Sequence, residues 1–429
     1  MKLRIKSKSS GRSAENRMDL IWKLLCFAAF TSPLRCYGLF SFGGFTGSFF
    51  KISSIAIVVL VMIKALSRDY KIYKDRVLTV ILLIIIADLL TVLYSNQQNM
   101  GLFPTYIVEH VILLFLYVVL QNQRGSHESL INAYVTGAVI PIGIGLYQWI
   151  NVITIGKVPP LPFQSLVVAT GTDNLWLYGN YRVVGTLLDP SYYGLYMATV
   201  LIICIGEIAV KRASGNRRLL FTAIGVLSLV CIFISGSVSS MLAAVAGVLF
   251  LLYKARLNLS KVVKYLVQAV LFAVIAVAVL QAFNYNPIEV LFTKLRIQAT
   301  STSVGALYGR GDHYKEAVED FLSSPIWGVG YGNIRLSSGH NSYLTILAQH
   351  GIIGFILHVT LTIIYTFTVK KQSMLNEGDS IIGRAVVFGM IVLLMGYDCL
   401  YKMDPTIVVL IICFNANECL KWARKDYEY

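Results

Sequence analysis

Charge is scarce in this sequence. Only 14% of its 429 residues are Asp, Glu, Lys or Arg, against about 25% in a soluble domain, which is too few to cover an ordinary water-facing surface. Acidic residues are scarcer than basic ones, 22 against 37, leaving a net charge of +15. In a soluble chain that excess would point to nucleic acid. Here the cations sit in short loops between apolar runs, the pattern of membrane orientation, and no nucleic-acid partner is expected. The seven cysteines (Cys26, Cys36, Cys204, Cys231, Cys399, Cys413, Cys419) show no CxxC spacing. Most lie in apolar runs, which argues against a disulfide framework or a metal site. The polar, basic first twenty residues and the lack of a small-residue cleavage pattern after the first apolar run argue against a cleavable signal peptide. The apolar runs are continuous rather than alternating, which excludes a transmembrane β-barrel.

What the chain has in quantity is apolar length. Hydrophobic residues make up 56% and the mean hydropathy is +0.67. Only helices and closed barrels satisfy their backbone in hydrocarbon, so the fold class expected is all-α: a polytopic transmembrane helical bundle of about 12 spans. We place spans near 21–40, 48–66, 77–95, 102–121, 130–150, 188–210, 219–235, 237–253, 265–283, 341–369, 385–400 and 405–420. The whole chain, 1–429, is then a single integral membrane domain. Lys and Arg alternate between the two sets of loops. One set includes the basic N-terminus, Arg68/Lys71/Lys74/Arg76, Arg124, Lys211/Arg212/Arg217/Arg218, Lys254 to Lys264, Lys370/Lys371/Arg384 and the basic tail. This set is expected on the cytoplasmic side with both termini. The other set contains two long outer loops, 151–187 and 284–340, and loops that long inside a compact protein usually carry function.

Those outer loops keep cations against the bias: Lys157, Arg182, Lys294, Arg296, Arg310, Lys315 and Arg335. A guanidinium matches phosphate or carboxylate with paired hydrogen bonds, so retained arginines suggest a bound anion. Solvated loop charge, partnered by Asp312, Glu316, Glu319 and Asp320, is the simpler account and the one preferred for Lys315. Arg182 and Arg310, beside glycines and near re-entry to the membrane, favour the anion. Residues 312–322 have helical spacing of apolar positions and should form a short amphipathic helix at the outer interface. A Pro and Gly run, Pro325-Ile-Trp-Gly-Val-Gly-Tyr-Gly332, follows, and then His340 at the mouth of the tenth span. His340 could take a proton from a hydroxyl near neutral pH; alternatively Asn341 or Ser342 caps the helix and His340 merely lies beside the cap.

These residues together resemble the O-antigen ligase/polymerase superfamily of bacterial envelope polysaccharide enzymes. His340-Asn341, nine residues, then Gly351-Ile-Ile-Gly354 is similar to that family's histidine motif. Pro325 to Gly332 resembles its glycine approach, and Gly309-Arg310 its upstream arginine. Arg182-Val-Val-Gly-Thr186 with Asp189-Pro-Ser191 resembles its earlier arginine motif. One departure stands out: in the turn Ser235-Gly-Ser-Val-Ser-Ser240, Val238 occupies the place where many members have arginine, a contact that Arg296 or Arg335 could supply. The Asp-Pro-Ser and Ser-Gly-Ser-x-Ser forms look more like a Wzy-type polymerase than a WaaL-type ligase.

The resemblance implies a GT-C-like bundle and a glycosyltransferase in the bacterial cytoplasmic (inner) membrane. It would join undecaprenyl-pyrophosphate-linked oligosaccharides into an O-antigen, capsule or exopolysaccharide chain. The alternative is a ligase transferring polysaccharide from that carrier to lipid A core. A non-enzymatic lipid-oligosaccharide transporter is a third reading, disfavoured because cations cluster in the loops rather than along a central path. His340 would be the catalytic base. Arg182, Arg310, Arg335, Arg296, Asn341 and Asp189 would bind substrate. Pyrophosphate is already a good leaving group and arginines can stabilise its charge, so no metal or cofactor is expected. The bilayer, the lipid-linked donor and acceptor, and candidate flippase and chain-length regulator proteins are the partners implied. Inside the spans Asp88, Glu109, His110, Glu207, His358 and Asp398 are ionisable and should face the bundle interior. Glu109-His110 is an alternative proton site, although adjacent residues point to different helix faces.

Overall fold

The computed structural model of the protein describes residues 19–34, 37–42, 45–91, 103–123, 126–156, 176–177, 180–187, 189–211, 213–255, 274–275, 278–279, 281–282, 310–330, 333–334, 341–367, 377–396 and 404–425. The helices follow the apolar runs: α1 Leu20–Thr31, α2 Phe49–Leu66, α3 Arg76–Thr91, α4 Phe103–Asn122, α5 His127–Gly137, α6 Val139–Ile155, α7 Pro190–Ala209, α8 Gly215–Ile234, α9 Val238–Lys254, α10 Arg310–Ser323, α11 Ser342–Phe367, α12 Glu377–Leu394 and α13 Asp404–Lys425. Two short antiparallel hairpins, Phe40–Phe42 with Phe45–Gly47 and Trp176–Leu177 with Asn180–Tyr181, sit in the connections. Five of the described segments are long and apolar enough to cross a membrane: Phe49–Leu66, His127–Ile155, Pro190–Ala209, Gly215–Ile234 and Ser342–Ile364. This is an all-α polytopic membrane protein. The span expected at 265–283 falls largely outside the described residues, as do most of loops 151–187 and 284–340.

Helix starts are written in the sequence as caps. Asp19, Ser48, Ser126, Asp189 and Ser237 each accept a backbone N–H of the following helix through a side-chain oxygen, satisfying donors that no intrahelical carbonyl can reach. Pro190 follows Asp189 in the first turn of α7, where its missing N–H costs nothing. α7 is the central helix, buried along nearly its whole length and packed on α8, α9 and α12. A second group, α1 to α5 with α11 and α13, packs around α4 and α1. Trp22 Nε1 donates to Ser129 Oγ at 2.9 Å, joining α1 to α5. Tyr196 Oη donates to the Tyr134 carbonyl at 2.8 Å, joining α7 to α5.

The outside of the bundle is apolar. Ile55, Val59, Met62 and Ile63 of α2, and Leu82, Leu83, Ile86 and Leu89 of α3, are exposed. An apolar surface of that extent belongs in lipid. The two ends differ. At one, here the basic end, Asp19 pairs with Lys64 at 2.6 Å and Lys211 with Asp379 at 2.8 Å. This brings together the starts of α1 and α12 and the ends of α2 and α7. At the other, the far end, lie the end of α1 and the starts of α2, α7, α9 and α11. α1 and α2, and likewise α7, α8 and α9, therefore run alternately between the two ends.

Candidate active site

Arg182 leads a short segment that lies along the end of α8. Val183 N–H donates to the Ile234 carbonyl at 3.3 Å, and Arg182 Nε donates to the Ser235 carbonyl at 3.4 Å. Behind it, Gln148 of α6 accepts the N–H of Gly185 at 2.9 Å and returns its amide to the Gly185 carbonyl at 3.3 Å. Thr186 Oγ1 donates to the Pro33 carbonyl at the end of α1. Asp189 spends one carboxylate oxygen on the N–H groups of Ser191 at 2.6 Å and Tyr192 at 3.3 Å. Ser240 Oγ bonds both Ser237 Oγ at 2.8 Å and the Ser191 carbonyl at 3.2 Å. The arginine motif and the serine turn, some fifty residues apart in sequence, are thus one packed unit. Val238, which replaces the arginine of the family pattern, is the first residue of α9 and sits at that unit's edge.

The unit continues to the histidine motif. A Cβ placed on Gly396, just past α12, would come within 2.6 Å of Ser239 Oγ. Next to it, the Met395 carbonyl accepts from Asn341 Nδ2 at 3.0 Å. Asn341 Oδ1 in turn accepts from Tyr343 and Leu344 N–H at 2.9 and 3.2 Å, so Asn341 caps α11. Arg182 and Asn341 therefore belong to the same end of the bundle, connected through Ser235–Ser240 and the end of α12.

The Pro-Gly run and the Gly-x-x-Gly run also form one unit. α11 breaks at Gly351, whose φ of 60° and ψ of −163° leave the helix. The break frees backbone groups, and the strap from Pro325 to Gly330 takes them up. Val329 and Gly330 N–H donate to the carbonyls of Ala348 and Gln349 at 2.8 and 3.0 Å, and Ile352 N–H donates to the Pro325 carbonyl at 2.9 Å. Non-helical backbone at membrane depth survives only with such internal partners. A Cβ on Gly351 would meet the Ile326 carbonyl oxygen at 2.3 Å, and one on Gly328 the Gln349 carbonyl oxygen at 2.4 Å. The glycines are the condition for the two backbones to touch.

Residues 223–359 match the family model described as O-Antigen ligase. That match, over about a third of the chain, supports a likeness to the O-antigen ligase/polymerase superfamily and to an activity of that type, a glycosyltransferase-like enzyme of a membrane. The matched segment takes in the serine turn, α10, the strap and the break in α11. No curated protein matches the chain. Of the expected site residues, His340, Arg335 and Arg296 lie outside the described residues. Arg310 opens α10, its side chain also outside them. Arg182, half-buried, and the caps Asp189 and Asn341 are described.

The structure adds residues that the motifs did not single out. His350, between the cap and the break, faces Asp88 of α3, with Nδ1 3.4 Å from Oδ1. His110 of α4 lies on the other oxygen at 3.6 Å. His358 stands near both imidazoles, with ring centroids 5.9 Å from His350 and 6.4 Å from His110. Glu109 turns the other way and pairs with Lys51 of α2 at 3.3 Å, both nearly fully buried. Adjacent positions thus do serve different faces. The available signal was the presence of ionisable residues within spans; His350 read only as one of the nine residues between Asn341 and Gly351.

At the basic end, Lys211 reaches Asp379 and Glu207, and Arg217 reaches Glu207 and Glu128. His127 lies 3.7 Å from Asp379 and bonds Asn415. Burial works against the Lys211 ammonium, but Asp379 and Glu207 overcome it and hold its pKa above the ordinary lysine value. The crevice beside His127 measures about 10 Å³, room for one water at most, so it is not a substrate site.

Proposed function

We propose that the protein polymerises undecaprenyl-pyrophosphate-linked oligosaccharide repeat units at the outer face of the cytoplasmic membrane, with the far end of the bundle as its catalytic end and both termini in the cytoplasm. The observation that carries this reading is the joining of the Arg182 segment to the serine turn and, through the end of α12, to the Asn341 cap. The Arg182 segment and the Asn341 cap thereby share one end. His340 is the base that removes the acceptor hydroxyl proton as the new C–O bond forms and the bond to pyrophosphate breaks. Arg182 and Arg310, with Arg296 and Arg335 as further candidates, hold the departing pyrophosphate, whose charge a guanidinium can pair through two parallel bonds. Asn341 and Asp189 fix the helix ends that frame the site, and contact with substrate is proposed for both. No metal is invoked.

The experiment supplies purified protein with a defined undecaprenyl-pyrophosphate oligosaccharide and resolves the products by length. A ladder of longer lipid-linked products supports polymerisation. Transfer only to an added lipid A core acceptor supports the ligase reading. Arg182→Lys and Arg310→Lys should both be markedly impaired, because a point charge does not reproduce paired bonds to phosphate. Wild-type activity in the Ala variants at normal protein levels would remove the arginines from the proposal.

A further inference from the structure

The group around Asp88 has a charge that must be accounted for. Asp88, His110, His350 and His358 come from α3, α4 and α11, and none is more than 3% exposed. His350 lies about 12 Å along α11 from its first residue, at 1.5 Å per residue, so the group is within the membrane part of the bundle. Neither Asp88 oxygen accepts a hydrogen bond; among the described residues, what faces them is one imidazole each, at 3.4 and 3.6 Å. A bare carboxylate at this burial is not tolerated. The neighbouring cation, Lys51, is engaged by Glu109. Among the described side chains of α10, which packs on α11, Asp320 and His313 supply no permanent positive charge, and Lys315 is exposed and lies beside Glu319. The half of α12 that meets the start of α11, residues 385–394, carries no ionisable residue. His358 Nδ1 bonds the Gly354 carbonyl at 2.8 Å, so it carries a hydrogen there and leaves Nε2 to accept.

The only neutral arrangement of one carboxylate and three imidazoles is the one that holds a single extra proton. We propose that Asp88, His110 and His350, with His358 beside them, form a proton-binding site inside the membrane. Its one resident proton, shared between the carboxylate and an imidazole, clamps the first half of α11 to α3 and α4 at the Gly351 break. Loss of the proton at alkaline pH leaves a buried anion, and gain of a second at acid pH leaves a buried cation. The clamp is therefore firm between those limits and weaker beyond either. The inference concerns the fold of this site and does not require the transferase reading.

The test uses the full chain in lipid nanodiscs, in a His127→Gln background that removes the other buried imidazole beside a carboxylate, with the remaining histidines isotope-labelled. At pH 8.5, about two units above the ordinary imidazole pKa, exposed histidines are neutral. The expected spectrum retains either an imidazolium signal by solid-state NMR or a protonated-carboxyl band by infrared spectroscopy, amounting to about one proton per chain. Asp88→Asn should lose it and Asp88→Glu should keep it. Absence of both signals at pH 8.5 without the Asp88 substitution overturns the site, as does a signal that survives Asp88→Asn. If Asp88→Asn does not fold, loss of the same signal in His350→Gln supports the assignment, and its full persistence in both His350→Gln and His110→Gln overturns it. Because no substrate is present, failure here is separate from failure of the proposed function.

Discussion

At the basic end, Lys211 and Arg217 tie α5, α7, α8 and α12 together through Glu128, Glu207 and Asp379. At the far end, besides the buried Lys51–Glu109 pair and the Asp189 cap, the ties are backbone N–H groups, hydroxyls and the amides of Gln148 and Asn341. The strap sits on the broken α11, Gln148 sits on Gly185, and Asn341 sits on Met395. Ion pairs tolerate small shifts in position but respond to charge and salt. Backbone contacts made through glycine do the reverse: they are indifferent to salt and fail when a single Cβ is added.

Four measurements would break or sharpen the contrast. The largest effect belongs to His340. If it is the base, His340→Ala lowers polymer formation about 10²–10⁴-fold at unchanged membrane level, and His340→Gln is equally inactive. If Gln retains substantial activity, the residue serves the helix mouth and the base lies elsewhere, with Glu109 and Asp189 the next to test.

Next come two glycines that share a positive φ but differ in ψ, 13° at Gly156 and −163° at Gly351, and in neighbourhood. Gly156→Ala, with φ 69° and nothing within 4 Å of its Cβ, should cost only about 1–2 kcal/mol of backbone strain. Gly351→Ala adds a collision with Ile326 and Gly328 and should cost about 3 kcal/mol or more. It would be read as loss of detergent-stable protein. Equal thermal midpoints for the two variants would mean that the strap does not hold α11.

A smaller effect is expected at the basic end. Arg217→Ala leaves Glu207, fully buried, to Lys211 alone. Removing a partner from a buried pair costs about 3–5 kcal/mol; with Lys211 remaining, about 2 kcal/mol is expected from thermal unfolding. Lys211 also sets a pH limit. Its folded pKa is raised, so its contribution is complete below the ordinary lysine value of 10.5 and is lost as pH rises through the higher folded value. Destabilisation of this end already at pH 9 would contradict the pairing. Smallest of all is Lys64→Ala, which breaks a pair with Asp19 that is one-third exposed. About 0–1 kcal/mol is expected, shrinking further in high salt, whereas a salt-independent loss would place the pair in a drier setting than its exposure indicates.

The helices were legible because hydrocarbon demands length, and apolar length is a one-dimensional property. α2, α4, α7, α8 and α9 fall within a few residues of the expected spans, and the amphipathic stretch at 312–322 is α10. The break in α11 was not legible. Residues 341–369 are predominantly apolar, and hydropathy carries no record of a backbone angle. Gly351 and the Pro325–Gly330 run stand out in the sequence only as separate motif glycines; that they approach one another required the fold. The same holds for Arg182 and the serine turn. His350 was missed for a related reason. A histidine beside a motif glycine is unremarkable until Asp88, from a helix more than two hundred and fifty residues earlier, is found opposite it.

The carboxylate-imidazole group also has a history within each molecule's synthesis. Asp88 and His110 enter the membrane when α3 and α4 are inserted, but His350 is translated roughly 240 residues after His110. At about 5–20 residues per second, that leaves an interval of about 10–50 s. Through that interval a carboxyl group and an imidazole wait in lipid without the helix that completes their surroundings. The nascent half-bundle must be held together by α1, α2 and α4, or shielded by the insertion machinery, until α11 arrives. The last matched helices therefore do more than extend the protein: their docking ends a period in which its earlier half carries polar groups exposed to the wrong solvent.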